Sequence, residues 1–150
     1  MMNKRENRIL TIGHSTRSLD ELIEVLTCYN VAALVDVRHF PRSKRNPQFN
    51  KNNLEIKLPE NGIRYYWIEE LGGFREGGYE KYMDSEDFNL GVNKLMEIAK
   101  QNQTAIMCAE VLWFMCHRSS IASALTKKGW EVIHIYDEKR TQIHKLRKEQ

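Results

Sequence analysis

The run VAALVDV at residues 31–37 constrains the fold most, because it is almost continuously apolar and short. Strands buried on both faces of a parallel sheet have this character, whereas half-buried strands alternate apolar and polar residues. Short apolar runs alternate with segments of helical periodicity along the whole chain, which is typical of βαβ units. We therefore predict an α/β fold, a three-layer Rossmann-like sandwich with a mostly parallel sheet of about five strands. The predicted strands cover residues 9–13, 31–37, 63–68, 104–109 and 132–136.

Three helices are predicted between these strands. Ser18 and Glu21 have the spacing of a capping box, which indicates a helix beginning directly after Ser18. Ser85 is expected to cap a second helix, because an apolar stripe with helical spacing follows it. The third helix is predicted over residues 117–128. Residues 72–84 contain four glycines and are expected to form a loop with a short helical turn.

The composition is that of a globular protein, with 41% hydrophobic and 29% charged residues among 150. A chain of this length is expected to form a single α/β domain over residues 1–150. Its apolar runs are far shorter than the roughly 20 residues of a membrane span, and its first residues lack the apolar segment of a secretion signal. Three cysteines form an odd set, so we expect reduced thiols and a cytoplasmic protein.

Charge is unevenly distributed, although the formal net charge is only +3. Residues 42–57 carry five cations against Glu55 alone, whereas residues 69–87 carry seven acids against two cations. One interpretation is an ordinary solvated surface. The other is a surface that binds a polyanion such as DNA, with an acidic patch elsewhere.

No cofactor is expected from the motifs. The glycine pairs within residues 72–78 lack the spacing and strand context of a P-loop or a dinucleotide-binding turn. A metal site built from Cys108, Cys116 and His117 would have a spacing that matches no standard zinc signature.

Side chains able to carry chemistry follow three of the predicted strands. The carboxyl ends of parallel strands meet at one edge of a sheet, where open α/β folds bind their ligands. We therefore expect these side chains to surround one site. The candidates for catalysis are Asp36, Glu110 and Cys116, and the candidates for binding a phosphate-bearing substrate are His14, Ser15, Arg38, Ser43, Cys108, His117 and Arg118.

Several of these candidates also have a structural interpretation. Asp36 and Glu110 could act as general acids or bases, or could simply pair with arginines. Cys116 lies near a predicted helix start and two cationic residues, which stabilise a thiolate. Cys108, within an apolar strand, is also typical of a core residue. Arg118, in the first turn of a helix, suits bidentate phosphate binding.

Five segments of the chain resemble a known family. They are TIGHSTRS, VDVRHFPRS, GIRYYWIEELGG, YEKYM and MCAEVLWFMCHRSSIASAL. In this order they are similar to the family called domain of unknown function 488, over residues 9–135. The run VLWFM departs from the proline-containing loop that is common there. The resemblance implies a Rossmann-like α/β domain with a site formed by the candidates above.

Some archaeal relatives in that family are associated with the removal of oxidised pyrimidines from DNA. The resemblance therefore implies a nucleic-acid-processing enzyme, a DNA glycosylase with or without a lyase step. Residues 42–57 would hold the DNA backbone. A damaged base would be flipped into the site, with Tyr65, Tyr66 or Trp113 stacking on it.

The chemistry implied by this resemblance uses carboxylates and an amine. Asp36 or Glu110 would activate water or stabilise an oxocarbenium-like sugar. Lys44 or Lys57 would supply the amine nucleophile that a lyase step requires.

Two other classes of function remain open. The strand–Asp–x–Arg turn and the later cysteine loop are also similar to rhodanese-like domains, which implies a thiol-dependent transferase or phosphatase. The residues directly after Cys116 include no glycine, whereas a rhodanese loop that wraps its cysteine usually does. The third class is a non-catalytic nucleotide or nucleic-acid binding module, which would depend on Arg38 and Arg118 but not on Glu110 or Cys116.

Overall fold

The computed structural model describes residues 7–146, and these form one six-stranded sheet. β1 to β5 run parallel to one another, and β6 pairs antiparallel with β5. The predicted α/β fold with a mostly parallel sheet is therefore confirmed. The strands are β1 (Arg8–Gly13), β2 (Ala33–Asp36), β3 (Arg64–Trp67), β4 (Thr104–Cys108), β5 (Glu131–Ile135) and β6 (Thr141–Ile143), in the spatial order β3-β2-β4-β1-β5-β6.

The α-helices of the described residues are α1 (Leu19–Cys28), α2 (Lys51–Glu60), α3 (Tyr79–Tyr82), α4 (Glu86–Gln101) and α5 (Arg118–Lys127). The predicted capping box of α1 is confirmed, since Ser18 Oγ accepts from the Glu21 amide at 3.1 Å and the Glu21 carboxylate accepts from the Ser18 amide at 2.9 Å. Ser85 caps α4 through its Oγ, which accepts from the Phe88 amide at 3.1 Å. None of these helices within residues 7–146 has the length and apolar character needed to cross a membrane.

Two elements are absent from the sequence-based prediction, α2 and β6. In α2 only Leu54 and Leu58 are buried, the remaining residues are mostly polar, and Pro59 lies in the last turn. This leaves a very narrow apolar stripe, too weak to indicate a helix. β6 is a three-residue edge strand whose side chains are all exposed, so it shows no alternation of apolar and polar residues.

The helices cover both faces of the sheet and make three layers. α1 and α2 pack on one face in a cluster that includes Leu10 and Leu34, whereas α4 and α5 pack on the other face with Ile9 and Val35. Neighbouring residues of one strand thus enter opposite clusters, as the pleat of a strand requires. The central strands are buried on both sides, which explains why residues 31–37 are almost continuously apolar.

Candidate functional site

Three neighbouring parallel strands end at the same edge of the sheet, with β4 lying between β1 and β2. Backbone hydrogen bonds continue the pairing past the strand ends. The His14 amide donates to the Cys108 carbonyl at 2.9 Å, and the Val37 amide donates to the Met107 carbonyl at 2.9 Å. The residues that follow the three strands are therefore brought together, as the sequence predicted for parallel strand ends.

Gly13, at the end of β1, allows the chain after β4 to approach closely. A Cβ atom at this position would overlap the carbonyl oxygen of Glu110. That obstacle is backbone rather than the tip of a flexible side chain, so it could not rotate away. The absence of a side chain at Gly13 thus permits this position of the Glu110 backbone.

A cavity of about 550 Å³ lies at this edge. Its volume falls in the range of small-molecule binding sites. Seven of the predicted site residues line it: His14, Arg38, Ser43, Cys108, Glu110, Cys116 and His117. Asp36, Ser15 and Arg118 lie outside the lining formed by the described residues. Arg42 and Arg45, from the basic segment 42–57 expected to hold DNA, also line the cavity. Lining residues that the sequence did not indicate include His39, Phe40, Phe74 and Met115.

Asp36 forms a buried ion pair with Arg38, their exposed fractions being 0% and 6%. Arg38 donates to Asp36 Oδ1 from its amide at 3.1 Å and from Nε at 2.9 Å, and to Oδ2 from Nη2 at 2.7 Å. The Tyr65 hydroxyl donates to Oδ2 at 2.6 Å. Burial by itself would lower the pKa of Arg38, but the hydrogen bonds to Asp36 raise it overall. The Asp36 carboxylate is thus surrounded by donors and orients the Arg38 side chain.

Arg118 is fully buried, and protein atoms occupy its donors. Nη1 donates to Thr11 Oγ1 at 3.2 Å, and Nη2 donates to the carbonyl oxygens of Glu110 and Val111. Nε donates to Cys116 Sγ at 3.4 Å. In this structure Arg118 therefore joins β1, the chain after β4 and Cys116, instead of facing the cavity.

Cys116 contacts a second thiol and a guanidinium group. Its Sγ lies 2.8 Å from Cys108 Sγ, and it accepts from the amide and the Nε of Arg118, both at 3.4 Å. The hydrogen bond from Cys108 and the Arg118 guanidinium lower the pKa of Cys116 to about 6, against the opposite effect of burial. Burial raises the pKa of Cys108. These contacts favour the thiolate form of Cys116 and the thiol form of Cys108.

The first turn of α5 does not offer its amides to an anion in the cavity. The Arg118 amide donates to Cys116 Sγ, the Ser119 amide to the Cys116 carbonyl at 3.3 Å, and the Ser120 amide to the His117 carbonyl at 3.1 Å. The first turn of α5 therefore does not form the anion-binding loop around Cys116 that the resemblance to rhodanese-like domains implied.

His14 is a neutral imidazole in the wall of the cavity. Its Nδ1 donates to the Ser15 carbonyl at 2.8 Å, and its Nε2 lies 3.4 Å from Arg38 Nη1. The ring stacks on Phe49 with centroids 4.4 Å apart, and burial lowers the pKa of His14 to about 4. Ser15 continues the turn in the left-handed region at φ 51°.

Two further histidines line the cavity. His117 Nε2 donates to the Val37 carbonyl, and burial lowers the pKa of His117. Its ring packs on Gly73, where a Cβ atom would lie 3.1 Å from Nδ1. His39 Nδ1 is buried and has no hydrogen-bond partner among residues 7–146. Within the same range, no three Cys, His, Asp or Glu side chains are grouped so as to hold a metal ion.

The mouth of the cavity combines apolar and cationic side chains. Phe40, Phe74 and Met115 are 62%, 86% and 64% exposed, and Arg42 and Arg45 are exposed beside them. Exposed apolar side chains that are grouped around one cavity are typical of a surface that contacts a ligand or partner. The alternation of aromatic and cationic residues in HFPRSKR, directly after the VDVR turn, is the sequence signal that could have identified this rim.

The aromatic residues predicted to stack on a base lie elsewhere. Trp113 stacks on His134 with centroids 4.4 Å apart and an interplanar angle of 3°. Tyr65 donates its hydroxyl to Asp36, and Tyr66 packs against the cluster under α4. All three lie outside the cavity lining formed by the described residues.

The fold and the site define a Rossmann-like α/β protein with a ligand-sized cavity at the carboxyl edge of its sheet. The family model described as domain of unknown function DUF488 matches residues 18–78 and 74–125. The matched segments cover more than half of the chain, so the protein belongs to this family, as the resemblance implied. No curated protein and no solved structure matches the chain.

Proposed function

We propose that this protein is a nucleic-acid-processing enzyme that receives an oxidised pyrimidine, flipped out of DNA, in the 550 Å³ cavity and removes it. The observation that carries this proposal is the lining of the cavity. An exposed carboxylate, Glu110, shares the cavity with two exposed arginines and an aromatic rim. The activity would be cytoplasmic, where free thiols such as those of this chain stay reduced.

Arg42 and Arg45 would hold the DNA backbone. They are exposed at the cavity, and the exposed Lys44 lies between them in the chain. Arg38 and Arg118 are less suited to this role, since their donors are already bonded to protein groups. Phosphate contacts made by cationic side chains give affinity that is independent of sequence and sensitive to salt.

Phe40 and Phe74 would stack on the flipped base in place of the tyrosines and tryptophan that the sequence suggested. Stacking on aromatic side chains is worth about 1–3 kcal/mol per base. His39 offers its unpartnered Nδ1 to a polar edge of the base. A hydrogen bond from a ligand would remove the cost of about 1–3 kcal/mol that a buried, unpaired polar atom carries.

Glu110 would supply the chemistry. A carboxylate next to the glycosidic bond can activate water or stabilise the positive charge that develops on the sugar. Asp36 cannot do this without breaking its bonds to Arg38 and Tyr65, so its role here is to position Arg38. For a lyase step, Lys44 in the cavity loop is a better amine than Lys57, which lies 3.9 Å from Glu60 on α2.

The test is base release from a duplex that contains one 5-hydroxyuracil. We expect release by the unaltered protein and loss of release in Glu110→Gln. Glu24→Gln, an exposed carboxylate on α1, is the matched control and should keep full activity. Absence of release by the unaltered protein, under conditions where a known glycosylase acts on the same duplex, would refute the proposal.

A binding titration separates the enzyme from a non-catalytic module. Alanine at both Arg42 and Arg45 should weaken DNA binding and reduce the slope of log K against log salt by about 1 for each arginine. Alanine at both Lys127 and Lys128, at the far end of α5, removes the same charge and should leave the slope unchanged. Salt-sensitive binding without base release, unaffected by Glu110→Gln, would favour the binding module.

A further inference from the structure

We infer that Cys116 and Cys108 form a dithiol site at which the protein reduces a hydroperoxide and becomes oxidised to an internal disulfide. The two sulfur atoms are 2.8 Å apart, and both residues line the cavity. The site uses side chains other than the carboxylate and arginines proposed for DNA. Either activity can therefore be present without the other.

The geometry assigns a different role to each thiol. Cys116 is partly exposed, so a small molecule in the cavity can reach its sulfur. Cys108 is only 2% exposed and lies behind it at the end of β4. Cys116 is thus the attacking thiol, and Cys108 is the thiol that resolves the product.

The surroundings of Cys116 favour the anionic form that attack requires. The Cys116 sulfur contacts the Cys108 thiol on β4 and accepts from the amide and the Nε of Arg118 on α5. The uncharged rings of His117 and Tyr79 pack against each other in the same region. The lowered pKa of Cys116, about 6, agrees with this arrangement. Reactive cysteines are found in such partly exposed, electropositive surroundings.

The reaction proceeds in two balanced steps. The Cys116 thiolate attacks one oxygen of the hydroperoxide, the O–O bond breaks, and the other oxygen leaves as hydroxide or alkoxide and takes a proton from water. This leaves Cys116 as a sulfenic acid. The sulfur of Cys108 then attacks the Cys116 sulfur, the S–O bond breaks, and the released hydroxide takes the Cys108 proton as water.

The structure is close to what the second step needs. A disulfide bond is about 2.05 Å long, so the sulfur atoms of Cys108 and Cys116 must approach by only about 0.8 Å. The seven residues 109–115 that separate them include exposed loop residues able to absorb this shift. An external dithiol returns the two electrons by thiol–disulfide exchange and restores both thiols.

The experiment uses the full chain with Cys28→Ser as the background, because Cys28 is an exposed thiol that would react by itself. The reduced protein is treated with one equivalent of hydrogen peroxide and its intact mass is measured. We expect loss of the mass of two hydrogen atoms and loss of both alkylatable thiols. Added Cys108→Ser should stop at a sulfenic acid that dimedone traps, and added Cys116→Ser should show neither product.

Turnover is followed as peroxide consumption with excess dithiothreitol. The background protein should exceed the rate of the reagents alone, and Cys116→Ser should fall back to that rate. Cys108→Ala serves as a second variant if the buried serine prevents folding, and circular dichroism checks each protein. Two free thiols after peroxide treatment, a disulfide between chains, or unchanged turnover in Cys116→Ser would each overturn the inference. Base release from DNA is measured separately, so its failure leaves these readouts intact.

Discussion

Replacement of Asp36 by asparagine tests whether this residue maintains the structure or takes part directly in catalysis. The substitution keeps the size of the side chain and removes its charge. In the native protein the carboxylate accepts three hydrogen bonds from Arg38 and one from Tyr65. Asparagine retains one oxygen acceptor and turns an amide group toward donors, so Arg38 stays buried without its counter-charge.

The expected loss of stability is large. Removal of one partner from a buried ion pair costs about 3–5 kcal/mol, because the remaining charge is uncompensated. Tyr65→Phe removes one hydrogen bond to the same carboxylate and should cost about 1.5–3 kcal/mol. Domains are usually stable by only about 5–15 kcal/mol, so Asp36→Asn should remove much of the total.

The assay is urea unfolding followed by circular dichroism. With a slope of about 2 kcal/mol per molar urea, a loss of 3–5 kcal/mol lowers the midpoint by about 1.5–2.5 M. Glu131→Gln is the matched control, because Glu131 accepts from Arg8 Nε at 3.1 Å on the same sheet but its side chain is 37% exposed. Because Glu131 is open to solvent while Arg8 is only 11% exposed, this partly buried pair should contribute about 1 kcal/mol, well below the Asp36–Arg38 pair.

One combination of results would refute the structural role. If the free energy of unfolding of Asp36→Asn lies within about 1 kcal/mol of that of the unaltered protein, and base release from DNA is nevertheless lost, Asp36 acts in the chemistry itself. A large loss of stability in Asp36→Asn, with the smaller loss in Tyr65→Phe, supports a carboxylate that positions Arg38 at the cavity.

Three further changes have defined outcomes. Gly13→Ala should cost about 3 kcal/mol or more in urea unfolding, because the new Cβ meets backbone rather than a side chain; unaltered stability would contradict this. Burial, with a contribution from His144, lowers the pKa of His134 to about 3. The folded state therefore favours the neutral imidazole, and the stability that His134 contributes is complete above pH 6.5 and is lost as the pH falls toward 3. The free energy of unfolding should fall between pH 7 and pH 5, and His134→Gln should make this fall smaller by about 2 kcal/mol. An unchanged fall would refute the lowered pKa of His134. Alkylation of Cys116 by iodoacetamide should accelerate with a midpoint near pH 6, since the hydrogen bond from Cys108 favours the thiolate; a midpoint above pH 8 would argue against it.

The core strands could be predicted from the sequence because their burial leaves a pattern. Residues 31–37 and 104–109 are almost continuously apolar, interrupted only by Asp36 and Thr104, and the corresponding β2 and β4 lie in the interior of the sheet. The helix caps at Ser18 and Ser85 could also be predicted from the sequence, because a cap is a local interaction between residues three positions apart. α2 and β6 show no such pattern in the sequence, because α2 buries only two leucines and β6 buries no side chain.

The convergence of three strand ends was also predictable, but the partners of individual charges were not. Sequence shows that Arg118 follows Cys116, yet its main acceptors are the backbone carbonyls of Glu110 and Val111 and the hydroxyl of Thr11. Backbone carbonyls occur at every residue, so no residue type reveals which ones accept. The apolar part of the cavity rim was missed for a related reason, since it comes from loops whose course depends on packing rather than periodicity.

The buried and the exposed arginines at this edge of the sheet have different roles for a physical reason. A buried guanidinium must have nearly all of its donors bonded, because each unpaired donor away from water is costly. Arg38 and Arg118 meet this demand with Asp36, a hydroxyl, the Cys116 sulfur and carbonyl oxygens, and these bonds hold the walls of the cavity in place. Arg42 and Arg45 remain in water, where an incoming phosphate can replace solvent around their donors. The exposed arginines are therefore the ones to alter when ligand binding is tested, and the buried ones when stability is tested.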